Sequence, residues 1–254
     1  MIEKYLVKKI TEPVDWKVTV PGSKSMTNRA LLMAVLSAGT VRVEGVLFSD
    51  DSRHFLACLV ALGFTVEIEE EKKCVTVTGC GGRIPRGEAV IDVGSAGTAA
   101  RFLAAMLGFS DGCYEIRCSA QMKRRPMAEL FDLLSGAGAK ITFLEEEGHL
   151  PVRITGCRYA RADKTAGETP RELSLDITKS TQFLSALLLI APMVPEGMKI
   201  HITSEKTDGS YIRITRKMMQ EFGVSVAFDG RDYEVPCRSS YRKETYMVEP
   251  DMSA

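Results

Sequence analysis

The sequence predicts a mixed α/β fold: three βαβαββ copies around a pseudo-threefold axis, with parallel helices buried at the centre. Three observations carry that expectation. A turn rich in Gly, Ser or Thr opens a strongly apolar segment at Gly22-Ser23-Lys24-Ser25, at Gly94-Ser95-Ala96-Gly97-Thr98 and at Lys179-Ser180-Thr181-Gln182. An amphipathic segment follows each and stops at Gly63, Gly138 or Gly223, glycine being the residue that most readily caps a helix in the left-handed conformation. Each glycine then leads into two alternating, β-prone stretches. One pattern recurring along a chain marks an internal repeat. It places the copies at about 20–80, 89–157 and 172–238, inside one unit spanning 20–240.

Each copy opens with a short apolar strand, at 18–20, 90–93 and 173–177. The turn that follows supplies N-cap oxygens and starts a helix, at 30–36, 102–107 and 183–190. These helices are apolar nearly all round, which calls for burial on every side. Strands follow at 40–43, 113–118 and 198–203. The second helices, 51–62, 126–137 and 211–222, carry Arg53, Asp132, Arg216 and Lys217 on a wet face. A hairpin closes each copy: 65–68 with 75–78, 140–143 with 152–155, and 225–228 with 233–235 across Asp229-Gly230, a strong two-residue turn signal. The acidic runs 67–71 and 145–147 then fall on hairpin strands and tips and read as solvated.

Composition excludes several classes. The 254 residues hold 33 Lys plus Arg and 33 Asp plus Glu, so no global charge points to nucleic acid or a membrane surface. No apolar run reaches membrane-spanning length, and Met1-Ile2-Glu3-Lys4 lacks an apolar signal core, so a cytoplasmic protein is expected. The seven cysteines form no C-x-x-C pair and read as reduced, mostly buried residues. His54, His149 and His201 share no metal-ligand spacing, and no metal is expected. Val18 and Ser23 stand where a P-loop needs glycine.

If the copies pack as expected, three helix N-termini converge, and their free N–H groups and partial positive charges favour an anion there. The side chains agree. Lys24 and Arg29 belong to the first turn and Arg101 to the second, while Lys123-Arg124-Arg125-Pro126 precedes the outer helix of copy two. Ser25, Thr98, Ser180 and Thr181 add hydroxyls and Gln182 an amide. Arginine forks, a lysine point charge and neutral donors together suit phosphate and carboxylate. No carboxylate or histidine recurs beside these turns, Asp208 excepted. Lys24 and Arg29 are both expected to be removable with little loss of thermal stability.

Several stretches taken together resemble the 5-enolpyruvylshikimate-3-phosphate synthases. They are Val20-Pro21-Gly22-Ser23-Lys24-Ser25 with Asn28-Arg29-Ala30, Ala96-Gly97-Thr98 with Arg101, Met122-Lys123-Arg124-Arg125-Pro126-Met127, Ser180-Thr181-Gln182-Phe183-Leu184, Tyr211-Ile212 and Tyr246-Met247-Val248-Glu249. The combination is specific and runs nearly the whole chain. It implies transfer of the enolpyruvyl group of phosphoenolpyruvate to the 5-hydroxyl of shikimate 3-phosphate, with release of phosphate and no cofactor. It also implies a fold of two halves, each of three βαβαββ copies. Lys24 would lie between both substrates. Ser25 and Arg29 would hold shikimate 3-phosphate, Arg29 on its carboxylate. Ser180 and Thr181 would take its phosphate, with Gln182 along its ring and Tyr211 lining that side. Gly97 and Arg125 would hold phosphoenolpyruvate, with Gln182 and Lys24 shared.

Two positions depart from the family pattern. Ser95 stands where Asn is usual. Asp208 stands where a phosphate-binding Ser is usual, so either Ser210 takes that place or this copy binds differently. The family's second half, which brings carboxylate acid–base residues and more cations, has no counterpart here. The chain therefore reads as the N-terminal portion, inactive alone. By the same resemblance 1–19 belongs with the absent half, its partner, and 241–254 crosses toward it. The sister family acting on UDP-N-acetylglucosamine carries a reactive Cys five residues ahead of the Arg of the Arg-Pro pair; Ala120 stands there, which disfavours it. A non-catalytic anion-binding module is the remaining alternative.

Overall fold

The structure is a computed structural model that describes residues 6, 9–18, 20–157 and 169–252. Copy one contains α1 (Lys24–Leu36), β1 (Thr40–Glu44), α2 (Asp50–Ala61), β2 (Thr65–Glu69) and β3 (Cys74–Thr78). Copy two contains β4 (Glu88–Asp92), α3 (Gly97–Gly108), β5 (Cys113–Arg117), α4 (Ala120–Lys123), α5 (Ala128–Gly136), β6 (Lys140–Phe143) and β7 (Val152–Thr155). Copy three contains β8 (Arg171–Leu175), α6 (Gln182–Ile190), β9 (Met198–Ile202), α7 (Ser210–Glu221), β10 (Ala227–Phe228) and β11 (Asp232–Val235), and β12 (Thr245–Met247) follows.

Among the described residues the strands form three four-stranded sheets of one design: β12-β1-β3-β2, β4-β5-β7-β6 and β8-β9-β11-β10. The first pair in each is parallel and the rest antiparallel. The hairpin registers set Thr65 opposite Thr78 and Lys140 opposite Thr155. Gly63, Gly138 and Gly223 sit at φ of 91°, 100° and 90°, the left-handed caps read from the sequence.

The core follows from the apolar helices. Every residue of α1 from Met26 to Leu36 is buried, as is every residue of α6 from Phe183 to Ile190. In α3, Thr98 alone is partly exposed. Each buried Leu or Phe there contributes about 1.5–3 kcal/mol relative to exposure. Arg29 in α1 stacks on Phe102 in α3 and reaches Ser185 in α6. Residues from the first two turns of all three helices thus meet, which gathers their N-terminal ends.

The opening strand of copy one, expected at 18–20 from its apolar residues, is not found at the described residues there. Val18 and Val20 have no strand structure, Thr19 lies outside the described residues, and Trp16 and Val18 are exposed. Its place beside β1 is taken by β12, with Tyr246 opposite Val43. Tyr246 is buried with its ring 5.1 Å from Phe222, and Tyr241 is buried with its hydroxyl donating to the Leu189 carbonyl at 2.8 Å. Two aromatic anchors decide which of two β-prone segments pairs with β1. The segment then reaches the first turn: Ser23 N–H donates to the Glu249 carbonyl at 2.9 Å. Much of 1–19, with 253–254, lies outside the described residues, so the expectation for the leading segment is not addressed there.

Three smaller differences have local causes. The helix expected at 126–137 starts at Ala128, and the short α4 precedes it. Pro126 disfavours helical backbone at Arg125, which leaves Arg125 in the link between them. The third hairpin turns on Gly230-Arg231, because Asp229 stays paired with Asp232 and its carboxylate accepts from the N–H groups of Arg231 and Asp232. Of the cysteines only Cys58 and Cys74 are fully buried, and Cys237 is exposed; strand edges and loops carry the others.

Candidate functional site

A cavity of about 510 Å³ opens where copies two and three meet. Arg101 and Arg125 line one side, and Ser180, Thr181, Gln182 and Tyr211 another. Lys179 and Lys206 add charge, and Glu129 stands at the wall, bound to Lys179 at 2.6 Å. The central helices begin without a capping side chain from their N-cap residues Ser23, Ala96 and Thr181, whereas the outer α2 carries a full capping box from Ser49 and Ser52. Among the described residues a nearby hydroxyl intervenes only at α6, where Ser180 Oγ accepts from Gln182 N–H at 3.2 Å. Uncapped first-turn N–H groups are anion donors.

Arg101 is buried, donates through Nη1 to the Gly97 carbonyl at 2.9 Å and lies 5.4 Å over the Phe183 ring. Its Nε has no hydrogen-bond partner among the described residues. Burial first, and neighbouring Arg125 second, lower its pKa to about 10. Two crowded guanidinium groups at a cavity wall disfavour each other until an anion lies between them. Gly97 permits this crowding. A Cβ there would sit 2.5 Å from Arg125 Nη1 and 2.8 Å from Arg101 Nη1. Gly97→Ala should therefore displace both forks and weaken phosphate binding about tenfold, the size of one charge-assisted hydrogen bond. Titration of inorganic phosphate by calorimetry reads this, with a melting curve to show that the fold is kept.

Arg29 is 2% exposed. Its guanidinium lies 5.3 Å from the Phe102 ring and 5.7 Å from the Tyr211 ring. Nε donates to Thr215 Oγ1 at 2.8 Å, Nη1 to the Ser25 carbonyl at 2.9 Å and Nη2 to Ser185 Oγ at 3.4 Å. Desolvation lowers its pKa to about 10, against a smaller raising effect from Tyr211. Arg29, read from the sequence as a first-turn cation, is thus stacked and hydrogen-bonded inside the core. Lys24 differs: its side chain is 52% exposed and meets Asp51 at 3.4 Å, outside the cavity lining.

The remaining candidates divide. Ser25 meets Arg29 through its carbonyl, while its hydroxyl lies 3.3 Å from that of Ser23. Thr98 sits in the first turn of α3. The Ser95 hydroxyl is 2.7 Å from that of Ser119, so it ties the second turn to α4. Asp208 is engaged away from the cavity: it accepts from Arg213 at 2.8 Å and from the Tyr233 hydroxyl at 3.3 Å. Burial pushes its carboxyl up, but the Gly209 N–H and Arg213 outweigh that and hold it below the usual carboxylate range. The Asp208 charge is thus paired with Arg213. Sequence reasoning missed Lys206 and Glu129 in the wall, and Ser185 and Thr215 behind Arg29. Lys206 belongs to no motif, and Ser185 and Thr215 look like ordinary helix positions.

The fold is that of the enolpyruvyl transferases. It matches EPSP synthase from Acinetobacter baumannii with a TM-score of 0.76 at 25% identity, over 93% of this chain and 50% of that one. It also matches the enolpyruvyl transferase NikO from Streptomyces tendae with a TM-score of 0.63 at 15% identity, over 95% of this chain and 53% of that one. The sequence pattern of EPSP synthase (3-phosphoshikimate 1-carboxyvinyltransferase) matches residues 8–254. The chain belongs to that family. It is 36% identical over 245 residues to the 3-phosphoshikimate 1-carboxyvinyltransferase of Trichormus variabilis, covering 96% of this chain and 55% of the relative. It is 41% identical over 244 residues to that of a Sulfurovum species, covering 95% and 55%. The chain thus spans about half the length of the curated relatives it matches.

Proposed function

We propose that this chain supplies the shikimate 3-phosphate half of a site that transfers the enolpyruvyl group of phosphoenolpyruvate to the 5-hydroxyl of that substrate and releases phosphate. The observation that carries the reading is the cavity itself, where Arg101, Arg125, Lys179 and Lys206 share a wall with Ser180, Thr181 and Gln182. Its size suits one small ligand, and its donors suit a phosphate and a carboxylate held apart. Ser180 and Thr181 take the phosphate of shikimate 3-phosphate, and Gln182 and Tyr211 line its ring. Arg29 and Ser25 hold its carboxylate end. Arg125 and the Gly97 turn take the phosphate of phosphoenolpyruvate, with Lys24 between the two substrates. Charge held in place before reaction stabilises the charge that develops during it. A second globular half, docked over this face, completes the site and shuts out water. Free cysteines and the absence, among the described residues, of any helix long and apolar enough to cross a membrane support a cytoplasmic setting.

Crystals grown in high sulfate or phosphate test the reading at its simplest. An anion is expected against Ser180, Thr181 and the arginine pair. Electron density for anions elsewhere on the surface, with none in this cavity, would count against the assignment.

A further inference from the structure

Behind Arg29 lies a pair of buried hydroxyls that none of the motifs includes. Thr215 in α7 and Ser185 in α6 are both fully buried, and their oxygens are 3.2 Å apart. Thr215 Oγ1 also lies 2.8 Å from Arg29 Nε and 2.8 Å from the Tyr211 carbonyl, and Ser185 Oγ lies 3.4 Å from Arg29 Nη2. A hydroxyl has one proton and two lone pairs. A carbonyl can only accept, so the single Thr215 proton is shared between the Tyr211 carbonyl and Ser185 Oγ. Thr215 Oγ1 keeps lone pairs to accept from Nε, and Ser185 Oγ accepts from Nη2. The pair presents two acceptors side by side to the Nε/Nη2 edge of the guanidinium.

The edge contact matters because burial gives Arg29 no water to orient it. The Ser25 carbonyl holds Nη1 and two rings hold the faces. Of five N–H groups on a guanidinium, these contacts use three, leaving two for a ligand carboxylate. Without the hydroxyl pair the fork keeps its position in the stack but not its rotation within the plane, and a bidentate pair depends on that rotation. Tyr211 and Thr215 stand one helical turn apart on α7, so a single helix face supplies a ring contact and an edge contact to the same group.

We propose that Thr215, with Ser185 behind it, is a positioning residue that sets the orientation of Arg29 toward the carboxylate of the substrate. The proposal rests on the functional reading above. It separates from a purely structural role through ligand chemistry. Thr215→Val removes both the proton and the acceptors at nearly constant volume. Shikimate 3-phosphate binding should then weaken about tenfold, the size of one charge-assisted hydrogen bond, while inorganic phosphate, which lacks the carboxylate, binds as before. Thr215→Ser should restore the affinity. In an Arg29→Met background, Thr215→Val should cost nothing further. The Arg29 Nε–H resonance supplies a readout in the free chain: it should move and exchange faster with water in Thr215→Val and stay in place in Thr215→Ser. Should Thr215→Val fold poorly, Ser185→Ala carries the same comparison through its smaller contact.

Equal losses for shikimate 3-phosphate and phosphate, or an unmoved Nε–H resonance, would overturn the role of Thr215 while leaving the site assignment intact. Failure of the unaltered chain to bind shikimate 3-phosphate at all would overturn both.

Discussion

Arg29→Met should abolish most of the affinity for shikimate 3-phosphate and leave the protein as stable as before or more so. The loss is expected at roughly 10- to 150-fold, from about 1.5–3 kcal/mol for a hydrogen bond to a charged group. The stability expectation runs the other way for a physical reason. Arg29 is buried, and its contacts are two hydroxyls, a carbonyl and two rings, with no carboxylate among the described residues in an ion pair with it. Even buried ion pairs are often replaced by well-packed apolar side chains at no cost or with a gain of about 1–4 kcal/mol, and a buried charge without such a pair keeps its full desolvation cost. The pH dependence gives the sign. Burial lowers the pKa of Arg29 to about 10 from an ordinary 12.5. Keeping the charge therefore costs the folded state at every pH below that value, and the cost fades as pH rises through it. The melting temperature of Arg29→Met should exceed or equal that of the unaltered chain at neutral pH, and the gap should close above about pH 10. Calorimetric titration and melting curves across pH measure both. Parallel loss of binding and stability in Arg29→Met would show that the arginine is a packing element.

Phosphate release from phosphoenolpyruvate plus shikimate 3-phosphate should be absent with this chain alone. Transfer requires a proton delivered to the methylene carbon of phosphoenolpyruvate and one removed from the attacking hydroxyl. A positioned acid or base is worth about 10²–10⁴-fold. The carboxylates near the site are occupied: Glu129 with Lys179, Asp51 with Lys24 and Asp208 with Arg213. The cavity is also open on one side, and water there weakens every electrostatic contact. Addition of a separately produced C-terminal half of a related enzyme should bring turnover. A rate with this chain alone near that of an intact enzyme would sink the claim, and would point to Glu129 or Asp51 as an acid or base after all.

The central helices were legible because their apolar runs are nearly unbroken. A run such as Phe183-Leu184-Ser185-Ala186-Leu187-Leu188-Leu189-Ile190 has no face to give to water. The glycine caps were legible because few other residues tolerate their backbone angles. The opening strand was not, since Val18-Thr19-Val20 and Thr245-Tyr246-Met247 both alternate well enough to pair with β1. Tyr246 has Phe222 to pack on. Trp16 and Val18 face solvent.

At the site the same division holds. The sequence by itself determined which chemistry is present: the cations, the hydroxyls, and the glycine at position 97. Those are local facts, carried by residue type and by the turns that start helices. Tertiary structure alone decided how each is used. It buried Arg29 and left Lys24 half exposed, although both belong to one helix. It turned Asp208 onto Arg213, brought Lys206 into the wall, and set Thr215 against a side chain 186 residues away. A hydroxyl becomes a positioning group only through what packs against it, and that partner is chosen by the closure of three copies on one another, which no single stretch of the chain encodes.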